Sequence, residues 1–308
     1  MLILLIFSSC SKDEIISDSS QLSDLEVKFS DEGQGILKFR NTEDFLNEYS
    51  KLSKYKSEED LNSWIKQKGH NALLTKSDSI FKISDSIGIL YSDALMAILN
   101  TDAEFKIGEE TIWLNNDKFY VLSSEKGKNE NKISRKGSLK VIGSLYNLGE
   151  SKEYNLTDLE NNKNMDNANR WKTYIQNVGS KRLITELYNE TIYFTDGTFS
   201  SQMFLRFRMD YESCSFWRCT WKNDTGTQRK ILINLSIDSV HWNRYNSNGL
   251  STNLYAVGHY NILLANYQPQ TPFIIYTNFA VSGYIGTTIV STGYSWTINN
   301  VSWYPNEN

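Results

Sequence analysis

Residues 203–210, MFLRFRMD, and residues 231–238, ILINLSID, decide the fold. In the first, Met203, Leu205, Phe207 and Met209 alternate with Phe204, Arg206, Arg208 and Asp210. In the second, Ile231, Ile233, Leu235 and Ile237 alternate with Leu232, Asn234, Ser236 and Asp238. A period of two marks a strand with one apolar face, and the other face of the first strand is partly charged. Further strands are expected at 183–193, 253–259, 273–281, 287–291 and 294–301, with Gly, Asn, Ser and Pro clusters between them. Strand after strand without an intervening helix argues an antiparallel β-sandwich over residues 181–308.

Towards the amino terminus the period changes to that of helices. Asn41-Thr42-Glu43-Asp44 is a polar cap followed by acids, which favour the positive end of a helix dipole. Phe45, Tyr49 and Leu52 then follow as one apolar stripe. Ser57-Glu58-Glu59-Asp60 opens a second helix with Leu61, Trp64 and Ile65 on its buried face and Gly69 as its cap; His70 reads as a helix-end residue. A third helix is expected over about 85–99, using Leu90, Leu95 and Ile98, and a hairpin over 111–122 turns at Asn115-Asn116-Asp117. The fold class is therefore α+β: a helical region with a β-hairpin (36–122), a loop-rich connection (123–180) and the sandwich (181–308).

Charge separates these parts more sharply than length does. Residues 1–189 hold 25 Lys+Arg and 29 Asp+Glu, residues 190–308 only 7 and 7, and the 62 residues between Arg244 and Glu307 hold none. That run carries twelve aromatics from Tyr245 to Tyr304 among Asn, Ser, Thr and Gly. With 40% hydrophobic and 22% charged residues the chain is globular rather than disordered, and a net charge of −4 argues against a nucleic-acid partner. No stretch approaches the roughly 20 apolar residues of a membrane-spanning helix.

The first residues suggest an address. Leu-Ile-Leu-Leu-Ile-Phe (2–7), then Ser8, Ser9 and Cys10, looks like the end of a lipoprotein signal, with Cys10 as the lipidated residue. The apolar run is short and lacks a basic leader, which a start upstream of Met1 would supply. An apolar strand with a chance Cys is the alternative. Residues 1–9 are accordingly a signal remnant and 10–35, rich in Ser, Asp and Glu, a flexible tether. Acyl chains on Cys10 would hold the protein to the membrane.

Ser11-Lys12-Asp13-Glu14 after that cysteine resembles the Lys-plus-acidics signal of surface-displayed Bacteroidota lipoproteins. With ILKFRNTEDFLNEYSKL, SEEDLNSW and ILNTDAEFKIGEETIWL, the chain resembles uncharacterised outer-membrane surface lipoproteins of that phylum, which join a helical preamble to a β-rich part. The resemblance covers 1–122, extends loosely over 170–240, and implies location and architecture but no activity. In that phylum Asp-Ser-apolar tripeptides are O-glycosylated, which points to Ser79, Ser86 and Ser239.

Chemistry is sparser. Cys214 and Cys219 flank four residues, so they could pair across a hairpin; two unpaired thiols are the alternative. Asp210 and Glu212 share a strand face, but two acids at a strand end are ordinarily solvated. There is no G-x-S-x-G elbow or H-E-x-x-H, and His241 and His259 lack a third ligand, so neither a metal nor a cofactor is expected. The aromatic strands suit stacking on an extracellular glycan or protein, with Trp217, Trp221, Trp242, Trp296 and Trp303 as candidates, although aromatics also favour cores. Non-catalytic binding is thus the leading expectation. A polymer-acting hydrolase and a structural component of the cell surface are the alternatives.

Overall fold

A computed structural model describes residues 26–29, 35–76, 89–122, 139–148, 153–155, 171–215, 218–239, 242–244, 250–267, 274–276 and 279–303. The described residues are mostly β, with three α-helices among them. A twelve-stranded sheet runs in the order β1 (Glu26–Phe29), β2 (Gly35–Phe39), β3 (Glu104–Ile107), β4 (Glu110–Asn115), β5 (Lys118–Leu122), β6 (Lys140–Tyr146), β9 (Lys181–Phe194), β10 (Phe199–Ser215), β15 (Tyr260–Tyr267) and β13 (Trp242–Arg244). Two more strands pair off this path, β8 (Trp171–Val178) on β9 and β11 (Arg218–Asn223) on β10. Among the described strands only β2 and β3 pair in parallel. A four-stranded sheet follows the order β14 (Leu250–Ala256), β12 (Arg229–Ser239), β17 (Phe279–Ile289), β18 (Ser295–Trp303), and β7 (Glu153–Asn155) pairs with β16 (Ile274–Tyr276).

The helices begin where capping chemistry places them. Asn41 accepts the Asp44 amide and opens α1 (Thr42–Leu52); Ser57 accepts the Asp60 amide and opens α2 (Glu58–Lys68). Gly69 closes α2 at φ 67, a left-handed conformation that costs glycine nothing. The third helix, α3 (Asp93–Ile98), is shorter than its expected span. Ser92 caps it, and Leu90 ahead of it is tied through its amide to Asn147 Oδ1. All six α3 residues are buried, so it has no polar face to give it a helical period.

Strands also occur where loops were expected. β1 lies within 10–35, and β6, β7 and β8 lie within 123–180, where β6 joins β5 to β9 and carries the large sheet through the expected connection. The 253–259 strand ends at Ala256, and 273–281 divides between β16 and β17, which also takes in 287–289.

Two cores share the central strands. On one face Phe204, Tyr188 and Ile192 pack under the three helices with Phe39, Phe45, Phe105 and Phe119. The Phe45 ring of α1 stacks on Phe105 at 4.4 Å and meets Phe194 edge-on at 5.6 Å. On the other face Met203, Leu205, Phe207 and Ile262 pack against Ile231, Ile233, Leu235, Val281, Ile285 and Trp303 of the four-stranded sheet. β10 is therefore buried on both sides from Ser201 to Asp210.

Candidate functional site

The charged face of β10 is not solvated. Arg206 is 1% exposed, Glu186 2%, Asp93 2%, Arg208 5% and Asp210 4%. They form a ladder: Arg182 to Asp210 (2.6 Å), Asp210 to Arg208 (3.3 Å), Arg208 to Glu186 (3.3 Å), Glu186 to Arg206 (2.7 Å) and Arg206 to Asp93 (3.5 Å). At the outer end the Trp221 ring lies 4.7 Å from the Arg182 guanidinium, and at the inner end His259 stands 3.7 Å from Asp93. Burial would raise the Glu186 carboxyl, but Arg206 and Arg208 outweigh it and hold it at about 2. Asp93 behaves alike: burial pushes it up, His259 and Arg206 pull it below its ordinary value.

Three carboxylates (Asp93, Glu186, Asp210) answer three guanidiniums (Arg182, Arg206, Arg208), and each guanidinium is already engaged by a carboxylate. Glu190, on the same face of β9 four residues beyond Glu186, is fully buried as well. It accepts from Tyr49 Oη (2.7 Å), Ser92 Oγ (2.6 Å) and the Ser92 amide (2.7 Å), yet burial raises it to about 7. Glu190 thus ties α1 and the start of α3 to the sheet. No residue of this cluster lines either groove described below, although Gln202, opposite Glu190 in register, lines one of them.

Two grooves open beside it. The first, about 520 Å³, is floored by Ser201, Gln202, Asn266 and Tyr267 of β10 and β15 and walled by Asn47 and Ser50 of α1, with Thr198 and Phe199 at its side. Its lining is dominated by hydroxyls and amides. Gln202 Nε2 donates to Ser50 Oγ at 3.0 Å, fixing floor to wall, and the Phe199 ring lies 6.3 Å from that of Tyr267, which is buried in the second core. The second, about 700 Å³, is bounded by Tyr55, Lys56 and Ser57 of the α1–α2 turn, Asp60, Ser63 and Gln67 of α2, and Tyr260 of β15. The turn is pinned to the sheet: the Asn261 amide donates to Lys56 O (2.7 Å), and the His259 amide to Glu58 Oε2 (3.2 Å). Both volumes fall within the roughly 300–1,000 Å³ of small-molecule sites.

The tryptophans divide. Trp303 (2% exposed) and Trp242 (4%) are core residues, Trp242 edge-on to Tyr267 at 5.5 Å, so neither offers a platform. Trp296 is half-buried against the second core, and Trp221 is occupied by Arg182. Trp217, His241, Cys10, Ser79 and Ser86 lie outside the described residues, as does the side chain of Ser239 at the end of β12. Cys214 and Cys219 face each other across β10 and β11 and form a disulfide. Glu212 approaches them, but bonded sulfurs offer no thiolate, so those three residues hold no metal. Asp210 is engaged by two arginines while Glu212 is exposed, so they do not act as a carboxylate pair. His70 follows the α2 cap, and its Nε2 meets Ala97 O at 2.7 Å.

Sequence reasoning missed the buried ladder and both grooves. Their residues come from segments far apart in the chain, and the one available signal was Arg206 and Arg208 on a strand otherwise apolar. Comparison with protein-family models, curated proteins and solved structures finds no match for this chain.

Proposed function

We propose that the chain is a lipid-anchored surface protein, attached to the outer membrane through Cys10, whose folded part binds an extracellular glycan without catalysis. The observation that carries this is the Gln202 groove: a concave surface lined by Ser, Thr, Asn and Gln residues, with the half-buried Phe199 ring at its side. Hydroxyls and amides exchange directional hydrogen bonds with sugar hydroxyls, and rings accept the apolar faces of pyranoses. Each groove carries one carboxylate, Glu43 or Asp60, whereas sugar hydrolysis ordinarily uses two that flank one bond. A β-sandwich formed by the four-stranded sheet against β9, β10 and β15 completes the reading, supported by the apolar layer between them.

A protein partner is favoured by a different feature, the outward face of the four-stranded sheet. There Tyr255 (60% exposed), Leu232 (41%) and Tyr284 (36%) stand among Asn, Ser and Thr. Immobilised glycans screened with the folded chain separate the two. Retention that Asn47→Trp abolishes supports the groove; retention unchanged by that variant, or none at all, rejects it. A fatty-acid analogue that still labels a Cys10→Ala variant would reject the anchor.

A further inference from the structure

We propose that the two grooves form one continuous track, joined at Lys54, that takes a neutral oligosaccharide rather than a single sugar. The proposal rests on the glycan reading above and names its ligand class. Lys54, just past the end of α1, lines both grooves, so they meet at the α1–α2 turn. That turn is held to β15 by the Lys56 and Glu58 bonds described above, so the junction is built rather than adjustable.

The lining repeats along the track. Phe199 serves one groove and Tyr55 and Tyr260 the other, all three half-buried, each with hydroxyl and amide groups alongside. A sugar chain presents the same alternation, an apolar ring face and a hydroxyl edge in every unit.

Charge argues for a neutral chain. Glu43 and Asp60, one in each groove, offset Lys54 and Lys56, and the lining has no guanidinium fork to grip a uronate or sulfate. A peptide is disfavoured because it would need a free strand edge or apolar pockets. The strands that floor the first groove, β10 and β15, are already paired with each other.

The test uses the whole chain with ladders of neutral cello-, xylo-, manno- and malto-oligosaccharides of one to about six units, read by titration calorimetry. Affinity should tighten by about tenfold or more between the disaccharide and the longest member of the ladder that binds. Ser63→Trp, on the exposed face of α2 in the second groove, should reduce the long member to disaccharide affinity and leave the disaccharide unchanged. Asn47→Trp, exposed on α1, should abolish both, and circular dichroism should show both variants folded. Disaccharide binding without length dependence, or indifference of the long member to Ser63→Trp, overturns the track while the glycan reading stands. Preference for a uronate polymer overturns neutrality, and failure of every glycan overturns both readings.

Discussion

Replacing Glu190 with Gln should change how stability depends on pH. The Glu190 carboxyl ionises at about 7 in the folded protein, against an ordinary 4.5, because it is fully buried and its hydrogen bonds from Ser92 and Tyr49 offset that burial only in part. Below pH 4.5 it is protonated whether the chain is folded or not. Between 4.5 and 7 the unfolded chain has released its proton while the folded one retains it, so stability falls as pH rises; above 7 the loss is complete. At about 1.4 kcal/mol per pH unit the window costs about 3 kcal/mol. With a urea m-value of about 3 kcal/mol per molar, the midpoint should drop by about 1 M between pH 5 and 8. Glu186 works in the opposite sense: held at about 2, it contributes stability above 4.5 that disappears as pH falls towards 2. Glu190→Gln should remove the neutral-side decline and keep the acid-side one. It should also cost about 1–3 kcal/mol at pH 5, because an amide can no longer accept from Tyr49, Ser92 Oγ and the Ser92 amide together. Urea titrations followed by fluorescence at pH 5, 6, 7 and 8 decide it. A wild-type midpoint that is flat across that range, or a variant that keeps the wild-type slope, would refute the reasoning.

Three further perturbations probe the architecture. Arg206→Met strands Glu186 and Asp93 without their shared cation and should cost about 3–5 kcal/mol, with part recovered by adding Glu186→Leu, as a double-mutant cycle in urea would show. Phe45→Ala empties the centre of the ring cluster under α1 and should cost about 3–5 kcal/mol by chemical denaturation, with the α1 amides losing most hydrogen-exchange protection. Gly283 sits at φ 139 where the β17–β18 register shifts, and a Cβ there would fall 2.1 Å from the Asn234 carbonyl oxygen; Gly283→Ala should therefore lower the melting temperature, by about 1–3 kcal/mol in stability.

The apolar halves of β10 and β12 could be read from alternation because each packs against one defined layer. The starts of α1 and α2 and the end of α2 were legible from their caps, whereas the four-residue separation of Cys214 and Cys219 left a cross-hairpin pair and two unpaired thiols both open. The destination of the charged half of β10 was not. Alternation distinguishes one face from the other but not water from a covering helix, and the partners of Arg206 stand at positions 93 and 186. β6 and β8 escaped notice because the Lys- and Asn-rich residues around them dominate the composition of 123–180. The grooves draw on 43–67, 197–202 and 260–267, three segments without a common motif. Trp242 and Trp303 misled because a ring that suits a platform suits a core equally well.

The double burial of β10 also bears on how the chain selects one pairing among near-equivalents. Phe204 and Leu205 are neighbours in sequence yet belong to different cores. In a strand apolar on both sides, slipping by one position would exchange one hydrophobic surface for another and cost little. Here the same slip would push Arg206, Arg208 and Asp210 into the dry layer against β12 and β17, away from Glu186, Arg182 and Asp93. Each would meet an environment that cannot neutralise it. The ladder thus acts as a key cut into one side of the strand, excluding the shifted alignments even if an all-apolar replacement proved more stable.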